Sequence, residues 1–245
     1  MPTDAAASAR EPLSRERVIR AAAALADDEG LRGVTMRRLA TDLGVEAMSL
    51  YHHVRGKEDV LDGLVEFVVQ EVRDEIDRSA AAGGDWRSAV RRRCLAARTV
   101  MLRRPWAPGL IRGRSAVPPS VFGLFEDVLG LMVRGGCSYR LGHRAMHALG
   151  SMILGFTQEL FSPADDGGAL VDPDESEAAL EAMAATLPYT TAMVASEVHA
   201  ADDPMLGWCD SQTEFEFTLD LMLDGLERAR LTETGGAAAP GTPAQ

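Results

Sequence analysis

Apolar positions recur at helical spacing along nearly the whole chain, and glycine, proline and short polar runs cut the pattern into segments. Ser14 is placed to cap a first helix running to about Asp28, with Val18, Ala21, Ala22 and Leu25 on one face and Glu16 in the first turn, where the helix dipole favours an acid. Gly30 is expected to end it. A short second segment follows, with Thr35 as N-cap and Met36, Leu39, Ala40 and Leu43 on its inner face; Gly44, able to take the left-handed conformation, is expected to stop it and reverse the chain. Val45, Leu50 and Val54 then turn inward on a third short helix, which Gly56 breaks. Two short helices across a tight turn make a helix-turn-helix, and Leu31 and Val34 should lock the first helix against it.

The next segment is long and amphipathic: Lys57-Glu58-Asp59 open a helix with Val60, Leu61, Leu64, Val68 and Val72 facing in. Ser79-Ala80-Ala81-Ala82-Gly83-Gly84 reads as a boundary. Beyond it the spacing predicts helices over 85–103, 106–114, 118–134, 138–161, 175–186, 190–199 and 209–230, with a solvated loop from Ser162 to Asp174. The expected fold is all-α. Its parts are a disordered arm over 1–12, a three-helix unit over 13–57, a linking helix over 58–78, a C-terminal helical domain over 79–231 and a disordered tail over 232–245.

The outward face of the third helix carries Ala47, Met48, Ser49, Tyr51, His52 and His53, without a carboxylate. Such a face suits a DNA major groove, where serine and histidine exchange hydrogen bonds with base edges and alanine or methionine touches a thymine methyl. Thr35, Arg37 and Lys57 stand at neighbouring helix starts, suited to backbone phosphates, with the N-terminus of the linking helix adding free N–H groups. The alternative is an all-α small-molecule-binding protein or enzyme in which this helical hairpin is incidental.

The run Thr35-x-Arg37-x-Leu39-Ala40, Leu43-Gly44-Val45, Ser49-Leu50-Tyr51-x-His53-Val54 and Lys57-x-x-x-Leu61-x-x-Leu64 resembles the DNA-binding domain of tetracycline-repressor-like (TetR family) regulators. The resemblance is close over about a quarter of the chain, from Ser14 to Leu64. It implies a repressor that is a homodimer on double-stranded DNA with a palindromic operator, released when a small-molecule effector fills a cavity in the C-terminal helical domain. Met101, Trp106, Phe122, Phe125, His143, His147 and Phe156 are the candidates for that cavity, with Arg73 and Arg93 near polar positions that hint at an anionic ligand, although the run Arg91-Arg92-Arg93 reads more readily as a solvated face. Histidines hold drug-bound magnesium in the tetracycline repressors proper; Leu110 and Ser151 stand in those positions here, and only Glu159 is kept, which argues against tetracycline–magnesium.

Two apolar stripes are candidates for dimerisation: Leu141, Ala145, Ala148, Met152 and Phe156 on one helix, and Phe215, Leu219, Met222 and Leu226 on another. Stripes of this kind in two subunits make a four-helix interface, and the same stripes equally serve as core within one chain. The family resemblance favours the dimer.

Net charge of −12, taken over the whole chain, opposes binding to nucleic acid. Its distribution removes the objection: Arg10 to Lys57 holds nine basic and seven acidic residues, whereas from Glu159 onward there are two basic and eighteen acidic. Screening confines each charge to a range of roughly 8 Å, so the acidic end need not affect a contact at the other. A 46% apolar but only 5% aromatic composition supplies a core of Leu, Ala, Val and Met, which favours helices.

Cys94, Cys137 and Cys209 lie far apart, without metal or disulfide spacing, as expected of a cytoplasmic protein. No apolar run is long enough to span a membrane. His143 and His147 are one turn apart, but no third ligand stands close, so no metal is expected. His52 and His53, adjacent on a helix, diverge. No nucleophile elbow, phosphate-binding loop or dinucleotide glycine pattern occurs, so neither a catalytic residue nor a cofactor is expected.

Overall fold

In the computed structural model the described residues are 12–79, 84–116, 118–157, 184–197 and 211–236, and among them there is no strand. The helices are α1 (Arg15–Gly33), α2 (Met36–Leu43), α3 (Ala47–Leu50), α4 (Lys57–Arg78), α5 (Trp86–Arg103), α6 (Ala107–Gly113), α7 (Pro119–Arg134), α8 (Tyr139–Gly155), α9 (Pro188–Glu197) and α10 (Ser211–Gly236).

The local signals at the first three helices act as the residue types require. Ser14 Oγ accepts from the Arg17 N–H at 3.2 Å, and Thr35 Oγ1 accepts from the Arg38 N–H at 3.2 Å. Gly44 sits at φ 66° and ψ 38°, and its N–H reaches the Ala40 and Thr41 carbonyls. That left-handed cap is cheap only without a Cβ, and it lets the Val45 N–H return to the Ala40 carbonyl at 3.0 Å and close the reversal. Gly30, at φ 69°, kinks α1 where an end was expected, and a last turn runs on to Gly33.

The third helix is shorter than its spacing predicts. α3 ends at Leu50; beyond it His52 and His53 donate to the Ser49 and Leu50 carbonyls, three residues back, in a tightened turn. The tightening brings Val54 inward, its N–H also on the Leu50 carbonyl at 2.9 Å, with both side chains buried.

One buried cluster runs from Val18, Ile19 and Leu25 of α1 through Leu39, Leu50, Leu64 and Val68 to Val100, Met101, Trp106 and Leu110. Its common wall is α4, which packs against α1, α5, α6 and α7. Full burial of each Leu or Val contributes roughly 1.5–3 kcal/mol, so helices on both sides of the 79–84 connection depend on the same apolar stripe. By packing, the helices on both sides of that connection belong to one compact unit, Met1–Thr157 with Arg230–Gln245, and Gln158–Ala229 forms a second.

Within α10, Phe215, Leu219 and Leu223 are buried while Phe217 and Leu221 are exposed. The helix continues to Gly236, five residues into the segment expected as tail. The arm up to Glu11, the loop Ser162–Asp174, all of the 175–186 helix but its last residues, Glu159, Cys209 and the tail beyond Gly236 lie outside the described residues.

Candidate functional site

Two places in the first unit are candidates for a functional site. The first is the α2–α3 turn. Leu39, Leu50 and Val54 are anchored in the core, and this fixes what faces out: Met48 is 70% exposed and Tyr51 47%. Ala47 and His52 are exposed as well, whereas Ser49 and His53 are half-buried. Thr35 is exposed with its hydroxyl committed to the α2 cap.

The cations around this turn divide into two groups. Arg38 is held by Glu29 at 2.8 Å and Asp42 at 3.2 Å, and Arg15 by Glu66 at 2.9 Å and Asp59 at 3.4 Å. Arg37 and Lys57, by contrast, are exposed and make no ion pair among the described residues. They are the charges left for an external anion, and Lys57 opens α4, where unsatisfied N–H groups also point outward.

Beneath the turn, α1 and α4 are bound to the helices that follow. Arg104, between α5 and α6, donates to both Glu71 carboxylate oxygens of α4, at 2.8 and 3.0 Å, and also pairs with Asp27 of α1. Trp106 Nε1 donates to the other Asp27 oxygen at 2.7 Å. The guanidinium lies 5.5 Å from the Phe67 ring centroid, and Glu71 first, then Asp27, raises its pKa. Arg114, just past α6, pairs with Glu58 at 2.7 Å and Asp62 at 2.6 Å on α4. The N-terminal helices therefore follow α4, and α4 is fixed to α6 at both ends by charge.

The second place is an apolar cavity of about 130 Å³ walled by α4, α5, α7 and α8. Val72 and Ile76, Cys94 and Ala97, Leu124 and Val128, and Met146, Leu149 and Ile153 supply its surface, with Arg93 and Asp127 as the charged members. Burial pushes the Cys94 thiol up to about 12, so it serves as a small apolar surface and not as a nucleophile. A larger space of about 600 Å³ lies beside the first turn, lined by Arg15, His53, Arg55, Asp59, Asp62 and Glu66 among others. Its carboxylates are already paired: Asp59 accepts from the Arg55 N–H at 2.9 Å, which holds its pKa low, and Asp62 and Glu66 are taken by Arg114 and Arg15. The smaller, mostly apolar cavity suits an organic ligand better.

Of the seven cavity candidates, Phe125 alone lines that space. Met101 and Trp106 belong to the α1–α4 core, Trp106 because Asp27 claims its indole. Phe122 is exposed and stacks edge-on against Phe125 at 6.2 Å. His143 and His147 stand on the exposed face of α8, ring to ring at 4.7 Å, turned out because Leu141, Ala145 and Leu149 take the inner face. Phe156 caps α8, and its carbonyl accepts from the buried Arg98 at 2.8 Å. Of the lining residues that the sequence did not single out for the cavity, Met146, Leu149, Gly150 and Ile153 repeat at i, i+3, i+4 and i+7 on α8, and those on the other helices stand three or four apart. That signal marks an interior face without saying which part of the interior is hollow.

The dimerisation candidates are likewise redistributed. Leu141 and Met152 are buried within the chain and only Ala148 is exposed, on a face it shares with His143, Arg144, His147 and Ser151. Phe215 and Leu219 are fully buried, Met222 and Leu226 half-buried, while Phe217 at 61%, Leu221 at 55% and, further along, Leu231 at 53% are open apolar residues of α10. The stripe read as an interface is, in its strongest members, intrachain core. No group of three or more candidate metal ligands occurs among the described residues, and no helix among them is long and apolar enough to cross a membrane.

The family profile described as "Bacterial regulatory proteins, tetR family" matches residues 18–64, and the one described as "Tetracyclin repressor-like, C-terminal domain" matches residues 80–230. The chain is 35% identical over 120 residues to the HTH-type transcriptional repressor DrrR1 of Streptomyces coeruleorubidus, covering 49% of this chain and 43% of that protein. It is 33% identical over 147 residues to the class D tetracycline repressor protein of Escherichia coli, covering 60% of this chain and 66% of that protein. The matched stretches thus span about half to two thirds of these relatives. Among solved structures, a possible TetR family transcriptional regulator from Streptomyces coelicolor A3(2) superposes with a TM-score of 0.66 at 28% identity, covering 88% of this chain and all of that one.

Proposed function

The chain belongs to the TetR family, and on that premise we propose that it is a ligand-responsive, DNA-binding transcriptional regulator of the cytoplasm, acting as a repressor and not as an enzyme. The observation that carries this reading is the solvent-open, carboxylate-free face of Ala47, Met48, Tyr51 and His52, set on a buried Leu50–Val54 anchor and flanked by the unpaired Arg37 and Lys57. Residues 13–57 read the DNA, 58–78 link, and 79–231 hold effector and partner subunit. Repression is the direction indicated by the relative named a transcriptional repressor.

A homodimer fits because two such faces about one DNA turn apart, roughly 34–36 Å, read the halves of a palindromic operator. The exposed face of α8 around Ala148 and the open Phe217 and Leu221 of α10 are the surfaces for it. The apolar cavity is the effector site. Val72 and Ile76 put one wall of it on α4, the helix that Arg15 directly, and Arg104 by bridging Glu71 to Asp27, tie to α1 of the DNA-reading end, so an occupant favouring one position of α4 changes affinity for DNA. A selection of genomic fragments retained by the full chain, followed by gel-shift titration, tests the reading. A palindromic fragment bound as a dimer is expected; retention of none, or of all fragments equally, overturns it.

A further inference from the structure

We infer that the cavity between α4, α5, α7 and α8 takes a compact aromatic acid whose carboxylate is held by Arg93. This rests on the effector reading above and deepens it by naming the ligand's chemistry. Three observations lead there. The cavity measures about 130 Å³, close to the roughly 150 Å³ of an engineered apolar cavity that binds benzene, so its space suits a single ring. Its walls are the aliphatic side chains of Leu124, Val128, Leu149 and Ile153 and the ring of Phe125, a surface that prefers a flat apolar body.

The third observation is the charge. Arg93 is half-buried on the wall, and its Nη1 donates to the Ala89 carbonyl of its own helix at 3.1 Å. No carboxylate lies within ion-pair distance of it among the described residues; Asp127, the other charged lining residue, is exposed to water. A hydrocarbon filling the cavity would strip water from the guanidinium and give nothing back. A carboxylate would accept from its remaining N–H groups in the planar geometry arginine provides.

Calorimetric titration of the full chain, without DNA, with 4-methylbenzoate and with the uncharged 4-methylbenzyl alcohol tests this. The acid should bind about tenfold tighter or better, the size of effect a charge-assisted pair produces. Arg93→Gln should reduce the ratio to about threefold or less, and Arg93→Lys, which keeps the charge and the helix preference but not the fork, should give a ratio between the two. Ala97→Leu, which fills the cavity, should weaken both compounds together. Equal binding of acid and alcohol by the unmodified chain, binding of neither, or a ratio unchanged in both Arg93 variants would overturn the assignment. The readout is independent of DNA: a chain that discriminates the acid but retains no DNA fragment loses the regulator reading and keeps the site, and the reverse result does the opposite.

Discussion

The turn around Tyr51 and the helices α8 and α10 were read from the same kind of apolar spacing, yet in one the spacing told the open face from the buried one, and in the other it marked a buried face without telling what covers it. In the N-terminal helices Leu39, Leu50 and Val54 are buried, and Met48, Tyr51 and His52 are open. In α10 the stripe Phe215–Leu219 is also buried as its spacing says, but inside the chain, while Phe217 and Leu221 on another face are open. The difference lies in the punctuation. Thr35 and Gly44 fix where α2 begins and ends and Gly56 fixes where α4 begins, so the two short helices between them have one way to pack. A helix of 26 residues with apolar groups on two faces has no such constraint. Periodicity then identifies a buried face without identifying what buries it.

The largest effect that sharpens this contrast is expected within α10 itself. Phe215→Ala should lower unfolding free energy by roughly 3–5 kcal/mol in a denaturant titration, because it empties a fully covered position, while Phe217→Ala should stay within about 0.5 kcal/mol. Equal, small effects at both would return Phe215 to the intersubunit surface. Next comes the junction of α1 with α4 and α6. Asp27→Ala removes the acceptor of Trp106 Nε1 and one partner of Arg104, and should cost about 1–3 kcal/mol by thermal melting, with tryptophan fluorescence reporting the freed indole.

A smaller effect is expected from acid. The Arg55 N–H, aided by Arg15, holds the Asp59 carboxyl below its ordinary value. A depressed folded pKa contributes stability that is present above the unfolded value of about 3.9 and is lost as pH falls through the folded one, so the contribution should fade below roughly pH 4. Asp59→Asn should melt lower than the parent at neutral pH, and the gap should narrow in acid; a constant gap would remove Asp59 from the α1–α4 tie.

The fold class, the first three helices with their caps, the long α4 and most later helix spans were legible in the sequence because they rest on local chemistry: a hydroxyl at an N-cap, a glycine at φ 66°, a proline before α7. The cavity was not. Val72, Cys94, Val128 and Ile153 come from four helices, and only their packing leaves a gap among them. His143 and His147 looked like pocket groups because they are polar on an apolar helix, when the inner face of α8 was already filled by Leu141, Ala145 and Leu149. Trp106 looked like a pocket aromatic until Asp27, 79 positions away in sequence, proved to be its partner.

The smallest stability change carries the largest functional one. Tyr51 and Lys57 are exposed, so Tyr51→Ala and Lys57→Ala should melt within about 0.5 kcal/mol of the parent while weakening DNA binding. The direct measurement is a fluorescence-anisotropy titration of a selected operator duplex by the parent chain and both variants across a range of salt. Tyr51→Ala should lose affinity for the operator at every salt concentration, and Lys57→Ala should flatten the dependence of log affinity on log salt by about 1. Parent and variants with the same affinity and the same slope would contradict the assignment of this face to DNA.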